Sequence, residues 1–235
     1  MESMYVLVRS FAKTPEQLSE VVERAVETAR YLKPVDLIDR ICFLVPTDHD
    51  FGGTAEALRD ILPGDVMVLT APGYHSGEAL SKGLEAIYSV GASHALVLSG
   101  KATSYINNGV VTRAADAFAL SAKVVGVNLI ELEEVHVMPI ENTACFWDLE
   151  ALRRVGWFDS KIGVEEVSAI ARISQKHAKK CVTLIPGASG YLNIAKSREG
   201  RHKEVVDTKK ARQESEAARV GVTLEWLNQQ IVIVR

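Results

Sequence analysis

Two adjacent acids, Glu165 and Glu166, stand at the start of a predicted helix in the second half of the chain. The helix dipole alone favours carboxylates at a helix N-terminus, so the pair has a purely structural explanation. It also has a chemical one, because a carboxylate aimed into a cleft can act as the general base that removes a proton from a substrate hydroxyl. The sequence leaves both explanations open and makes Glu166 and Glu165 the candidate catalytic residues.

Other polar residues stand where predicted strands end. Asp48 follows the second strand in the segment PTDHDFGGTAEALRDIL, where a glycine-bearing turn would fix its position. A carboxylate there can accept hydrogen bonds from a nucleobase or a ribose, although aspartate is also an ordinary turn residue. Ser10 follows the first strand, and the run Ser99-Gly100-Lys101 follows the fourth. Asp48, Ser10, Ser99 and Lys101 therefore join the candidate site.

Short β-branched runs alternate along the chain with segments of helical period. The predicted strands are residues 4–8, 41–45, 65–70, 94–99, 124–127, 135–140 and 181–185. Such alternation is typical of right-handed βαβ units, so we predict an α/β fold with a mainly parallel sheet and helices on both faces. Ligands of such sheets bind beyond the carboxyl ends of the strands, which is where the candidate residues stand.

Several residues mark the starts and faces of the predicted helices. We expect four of them to cap the helices that follow, namely Thr14, Thr54, Ser76 and Asp148. In the third predicted helix, Leu80, Leu84 and Ile87 share one apolar face, which we expect to be buried against the sheet.

The composition is that of an ordinary globular protein, with 47% hydrophobic residues, a net charge of −3 and a pI of about 6.1. This charge gives no reason to expect nucleic acid or an anionic membrane as a partner. The three cysteines lack the spacing of a metal or redox motif, so we expect buried thiols in a reducing compartment. No apolar run approaches the ~20 residues that span a bilayer. We therefore expect a cytoplasmic protein.

A change in composition near residue 191 divides the chain. Residues 1–190 form the predicted ligand-binding domain, and residues 191–235 form a charged helical arm followed by a terminal strand. The arm is either a solvated surface helix or a lid or partner-binding arm, in which four basic residues could reach a phosphate, namely Arg198, Arg201, His202 and Lys203. The sequence leaves open whether the chain forms a homo-oligomer.

Three segments resemble motifs of the family-two inverting glycosyltransferases, which have the glycosyltransferase A fold. The run TDHDFGGTAEALRDI is similar to that family's D-D-G-S-x-D-G-T-x-x-x-L pattern, and SGEALSKGLEAI is similar to its G-x-x-x-A-x-N-x-G-L helix. The segment from Gly156 to Arg172 is similar to G-G-F-D-E-x-x-G-x-E-D-x-x-x-x-x-R and is the most specific of the three. The resemblance covers residues 4–186 and leaves the tail unassigned.

The resemblance implies an enzyme that displaces a nucleoside diphosphate from the anomeric carbon of a sugar. Its ligands would be a UDP- or GDP-linked sugar and a hydroxyl acceptor that the sequence does not name. For Asp48 the resemblance implies contact with the nucleobase or ribose, and for Glu166, at the family's Glu-Asp position, it implies the base. Arg172 would lie on nearly the opposite helical face from Glu166, so we expect it to be structural.

One motif of that family is changed here. At the end of the fourth strand the family carries Asp-x-Asp, which holds the ribose and a divalent metal that bridges the two phosphates, whereas this chain reads Ser99-Gly100-Lys101. No pair of hard oxygen ligands for Mg²⁺ or Mn²⁺ remains there, so metal binding in the usual way is not expected. Ser99 still offers a hydroxyl to a ribose, and the Lys101 ammonium offers one fixed charge to the diphosphate.

Three functions are consistent with these residues. The chain is a metal-independent sugar transferase, a noncatalytic binding or scaffold protein that has lost activity, or an enzyme for a different reaction on the same fold. Nucleotidyltransferases of related architecture fit less well. They place a glycine-rich basic loop after the first strand, whereas VLVRSFAKTPEQ holds Arg9 and Lys13 but no glycine.

Overall fold

A computed structural model of the chain describes residues 3–73, 76–128, 139–140, 142–159, 164–177, 181–188 and 202–234, except for the side chains of Ser76, Lys101 and residues 202–207. The strands in this part are β1 (Met4–Arg9), β2 (Arg40–Pro46), β3 (Met67–Ala71), β4 (His94–Leu98), β5 (Val124–Asn128), β6 (Ala144–Asp148), β7 (Val182–Pro186) and β8 (Ile231–Ile233). The α-helices are α1 (Leu18–Leu32), α2 (Thr54–Ile61), α3 (Ser76–Ser89), α4 (Asn108–Ala119), α5 (Leu149–Arg154), α6 (Glu165–Lys176), α7 (His202–Arg219) and α8 (Leu224–Gln229).

The described strands form one eight-stranded sheet in the order β3-β2-β1-β4-β6-β5-β7-β8. All pairs in this sheet are parallel except those of β6, which runs antiparallel to both β4 and β5. Helices cover both faces: α1, α2 and α4 pack on one, and α3 and α5–α8 on the other. The predicted α/β fold with a mainly parallel sheet is thereby confirmed.

Each face of the sheet buries its own apolar layer. Leu80, Leu84 and Ile87 are buried on α3, which confirms the predicted face of this helix. Trp147 and Phe146 are successive residues of β6, and they point into the two opposite layers. Because successive strand residues face opposite sides of a sheet, an apolar run such as that of β6 indicates a strand buried on both faces.

Strand β6 was not predicted from the sequence. Its apolar run is only four residues long and ends in a helix cap, so the pattern indicates the segment before a helix rather than a strand. An antiparallel strand inserted between β4 and β5 also departs from the βα alternation on which the prediction rested. Of the strand predicted at 135–140, residues 135–138 lie outside the described part, and residues 139 and 140 are not in a strand.

The predicted helix caps have different outcomes. Asp148 caps α5 by accepting a hydrogen bond from the Ala151 N–H at 2.9 Å, as predicted. The prediction for Thr54 was wrong, because its hydroxyl instead accepts the Ala12 N–H at 3.1 Å and so ties α2 to the loop after β1. Thr14 precedes a short 3-10 helix and makes no side-chain cap bond there. The side chain of Ser76 lies outside the described part.

The C-terminal segment packs onto the rest of the molecule. Strand β8 pairs in parallel with β7 and so extends the same sheet, while α7 contacts α6 through Ala217 and its neighbours. Cys42, Cys145 and Cys181 are free and buried, as expected. Among the helices described, none combines the length and apolar character needed to cross a membrane.

Candidate functional site

A cavity of about 510 Å³ opens at the carboxyl ends of β1 and β4. The chain leaves β1 toward β2 and β3 on one side and then crosses back to β4 on the other side of β1, so the strand order reverses direction between β1 and β4. Ligands of open α/β sheets bind beyond the carboxyl ends of the strands at such a switch point. The candidate site thus follows from the topology of the sheet.

Glu165 and Glu166 form one wall of this cavity. Both side chains line it, and the two residues are only 4% and 5% exposed. They are the first two residues of α6, where the positive end of the helix dipole partly offsets the cost of burying acids. Burial raises the pKa of Glu166 well above its ordinary value, and the neighbouring charge of Glu165 raises it further.

Two other charges act on Glu166 from opposite directions. Glu216, a buried residue of α7, adds to the increase in the Glu166 pKa, whereas the guanidinium of Arg9 at the end of β1 opposes it. Glu216 is itself paired with Arg219 at 2.7 Å. The C-terminal helix therefore contributes to the electrostatics of the acidic wall, a contribution that the sequence did not reveal.

A side-chain relay from strand β6 reaches Glu165. The indole N–H of Trp147 donates to the side-chain oxygen of Asn142 at 3.1 Å, and the amide nitrogen of Asn142 lies 3.5 Å from a carboxylate oxygen of Glu165. Trp147 is fully buried, so Asn142 is held in one orientation by a rigid partner. Asn142 also lines the cavity.

Arg172 fixes the loop that leads into α6. Its guanidinium donates to the carbonyl oxygens of Val155 and Trp157, each at 2.7 Å, and it pairs with Asp159 at 3.1 Å. Gly156 and Trp157 have positive φ values of 85° and 60°, a backbone conformation that costs energy for tryptophan. These contacts match the structural role that we expected for Arg172.

Two basic residues also line the cavity, Arg9 and Arg24, and their part of the lining is called the basic wall below. Arg9 ends β1 and Arg24 lies on α1, and both line the cavity together with Thr28. Arg24 is in an ion pair with Glu20, one helical turn earlier. The same cavity is thus lined by two residues with guanidinium groups and two with carboxyl groups, and the anionic end of a ligand is favoured beside the guanidinium groups.

Four of the six predicted site residues line this one cavity, namely Ser10, Ser99, Glu165 and Glu166. Asp48 is not among the described residues that line it, and its carboxylate accepts the Gly73 N–H at 2.7 Å. The backbone of Lys101 belongs to the 3-10 turn Gly100–Tyr105, and its side chain lies outside the described part. The roles of all six residues remain predictions.

The residues at the end of β4 do not fit a divalent metal. In the described part of the chain, no group of three or more His, Cys, Asp and Glu residues is arranged to hold a metal ion. Ser99 offers a hydroxyl there, and its backbone N–H is bound to the Thr143 carbonyl at 2.9 Å. Mg²⁺ and Mn²⁺ prefer carboxylate oxygens, which Ser99 and Gly100 do not supply.

The sequence did not identify several polar residues of the cavity, including Arg24, Thr28, Asn142 and Thr143. Arg24 and Thr28 are one helical turn apart on the rim of the apolar stripe of α1, and this spacing is the one signal that could have indicated them. Asn142 precedes β6, so missing that strand also concealed this residue.

Comparisons with known proteins bear on the fold. No model of a protein family matches the sequence, and no curated protein matches it. Among solved structures, the mannosyltransferase PcManGT from Pyrobaculum calidifontis, in complex with GDP-Man and Mn²⁺, superposes with a TM-score of 0.64 at 10% identity over 97% of this chain and 69% of that one. The 4-diphosphocytidyl-2C-methyl-D-erythritolsynthase from Anaerococcus prevotii DSM 20548 superposes with a TM-score of 0.54 at 11% identity, covering 90% and 96%.

The chain has a nucleotide-diphospho-sugar transferase-like fold. A cytidylyltransferase from Leptospira borgpetersenii is also similar, with a TM-score of 0.50 and 10% identity over 74% of this chain and 71% of that one. Glycosyltransferases and nucleotidyltransferases thus both occur among the neighbours. Sequence identities this low show the fold alone, so the function must be argued from the cavity itself.

Proposed function

We propose that the cavity binds a nucleoside diphosphate sugar, linked to UDP or GDP, and that the protein transfers the sugar to a hydroxyl acceptor with inversion. The main support is that two buried glutamates and two arginines line one cavity at the switch point of the sheet. The acidic wall offers a base for the acceptor hydroxyl. The basic wall offers charge for a departing diphosphate.

The proposed reaction is a single displacement. The carboxylate of Glu166 takes the proton of the acceptor hydroxyl, whose oxygen bonds to the anomeric carbon. The bond from that carbon to the diphosphate oxygen breaks, and its electron pair leaves with the nucleoside diphosphate. Because the entering and leaving oxygens lie on opposite sides of the carbon, the configuration there inverts.

The surroundings of Glu166 suit a general base. A carboxylate with a raised pKa holds a proton more strongly than an ordinary one, which increases its driving force for removing a proton from an alcohol. Glu165 stands directly beside it, and the Asn142 amide contacts the Glu165 carboxylate. The two acids therefore act as a unit, with Glu166 as the base and Glu165 as its partner.

The nucleotide half of the proposed site lies at the ends of β1 and β4. The Ser10 and Ser99 side chains line the cavity there and offer hydroxyl groups to a ribose. In this proposal Asp48 contacts the nucleobase or ribose and the Lys101 ammonium faces the phosphates. The protein would be a relative of the family-two glycosyltransferases in which Ser99-Gly100-Lys101 replaces Asp-x-Asp and no metal is used. It would act in the cytoplasm.

A noncatalytic binding protein on the same fold is the second candidate. The unsuitability of Ser99 and Gly100 as metal ligands supports it, because a disused site can lose its metal ligands while it keeps its cavity. In that case a nucleotide sugar binds without turnover.

One experiment separates the two candidates. The purified protein is incubated with UDP- and GDP-linked sugars and simple hydroxyl acceptors, with EDTA or with Mg²⁺ or Mn²⁺, and nucleoside diphosphate release is measured. Release by the wild type that is lost in Glu166→Gln supports the transferase. Binding without release under any of these conditions supports the binding protein.

A further inference from the structure

The basic wall of the cavity is built around Gly100. A Cβ atom on Gly100 would lie 3.0 Å from Cδ of Arg24 and 3.8 Å from the hydroxyl of Thr28, so the stem of Arg24 packs directly on this glycine. Thr28 in turn lies with its hydroxyl 3.3 Å from that of Thr103. These contacts hold α1 against the turn after β4 and place a guanidinium-bearing side chain beside the switch point.

The ion pair of Arg24 leaves its charge available for a ligand. Its partner Glu20 is on the same helix, and the two side chains are 42% and 71% exposed. Exposed pairs of this kind contribute little to stability, so an anion of higher charge can displace the glutamate. Arg9 also lines the cavity, and its positive charge opposes the increase in the pKa of Glu166.

The distribution of charge determines where a diphosphate can lie. An anionic group is favoured beside Arg9 and Arg24 and disfavoured beside the acidic residues Glu165 and Glu166. Guanidinium groups stay charged over the physiological pH range and bind phosphate through paired N–H donors. Two of them carry the same total charge as one divalent cation.

We propose that Arg9 and Arg24 form the diphosphate-binding subsite of the cavity and supply, as two fixed charges, the neutralisation for which Ser99 and Gly100 provide no metal ligands. The inference rests on the proposed function, because it names the residues that hold the phosphates of the proposed donor. It also orients that donor, with its phosphates at the basic wall and its sugar toward Glu166.

Calorimetric measurements of binding in the presence of EDTA test this subsite. Inorganic pyrophosphate, UDP and GDP are titrated into the wild type, Arg9→Gln, Arg24→Gln and the double variant. We expect each single substitution to weaken binding of all bound probes by about tenfold or more, and the double variant to weaken it further. Adding Mg²⁺ should not restore the affinity.

Two arginines outside the cavity provide matched controls. Arg30 lies on the same helix as Arg24, and Arg40 lies at the first position of β2, where both line a separate groove of about 380 Å³. Arg30→Gln and Arg40→Gln remove the same charge without touching the cavity. They should leave all affinities unchanged, and thermal unfolding verifies that every variant is folded.

The possible results separate this inference from the proposed function. Three results overturn the arginine subsite while nucleotide binding itself still stands. The wild type and both arginine variants bind with equal affinity, binding is lost only in Lys101→Gln, or wild-type binding requires Mg²⁺ or Mn²⁺. Arginine-dependent binding of pyrophosphate without any binding of UDP or GDP supports the subsite and contradicts the proposed function. If no probe binds, both are wrong.

Discussion

Glu165 and Glu166 are consecutive in the chain, and both are buried in the same cavity wall at the start of α6. Consecutive helix residues point about 100° apart, so one buried stripe on a helix does not normally take both. Here every residue from Glu165 to Ala171 is buried, and both glutamates line the cavity. Placing two carboxyl groups in one low-dielectric space is costly, and it is the feature of this chain that most needs a functional explanation.

Replacing Glu166 by glutamine should abolish turnover while leaving nucleotide binding intact. The amide keeps the size of the side chain but cannot accept a proton, and a general base contributes a factor of about 10²–10⁴ to the rate. Nucleoside diphosphate release measures the first effect and calorimetry the second. The matched control is Glu225→Gln, which changes an exposed acid in the first turn of α8 and should have neither effect.

The transfer rate should rise with pH, with a midpoint above the ordinary glutamate pKa of 4.5, because Glu166 must be ionised to act as the base. Its pKa is raised chiefly by burial and then by Glu165, so its proton is lost only at higher pH. Initial rates measured across the pH range in which the protein stays folded check this. A rate that falls with rising pH throughout would contradict the role of Glu166.

Glu216→Gln provides the internal control for the pH profile. The negative charge of Glu216 raises the pKa of Glu166. Removing this charge should move the midpoint of the pH–rate profile to lower pH without abolishing turnover. Glutamine can still accept a hydrogen bond from Arg219, so the contact between positions 216 and 219 of α7 is kept. An unchanged midpoint would show that Glu166 does not determine the profile.

The stability of the wild type should fall as pH rises from 4.5 through the raised pKa of Glu166. In that interval the folded protein binds a proton that the unfolded chain has already lost, so raising the pH favours unfolding. Below 4.5 this contribution is fully present. Urea unfolding at several pH values should show this decline in the wild type and a smaller one in Glu166→Gln, whereas parallel curves would contradict the burial of an ionisable group.

Replacing Arg172 by methionine should destabilise the loop before α6. It leaves the carbonyl oxygens of Val155 and Trp157 without their donor while Trp157 keeps its positive φ, at a cost of about 2 kcal/mol or more. Arg154→Met is the control, because Arg154 makes an exposed ion pair and should cost less than about 1 kcal/mol. Urea unfolding compares the free energies of unfolding of the two variants. Equal losses of stability would contradict the claim that Arg172 holds this loop.

Local patterns in the sequence predicted much of the fold and part of the site. The alternation of strands and helices predicted the layers. Strand ends predicted the place of Ser10 and Ser99, and a helix start together with the family resemblance made the two glutamates candidates for the same cleft. Thr54 was misassigned because its hydroxyl bonds a residue 42 positions away, which no local rule detects. Arg24 and Glu216 enter the site through helix packing, and packing partners are not encoded in local spacing.

The central claim is that the cavity binds a nucleoside diphosphate sugar. Its most direct test is the shift in melting temperature of the wild type across a panel of UDP- and GDP-linked sugars, with EDTA in one series and Mg²⁺ or Mn²⁺ in the other. At a concentration about a hundred times its Kd, a true ligand stabilises the protein by about 2.7 kcal/mol, or roughly 5–10 °C for a chain of this size. We predict such a shift for at least one sugar nucleotide, with equal size in both series. No shift for any member of the panel in either series would contradict the account.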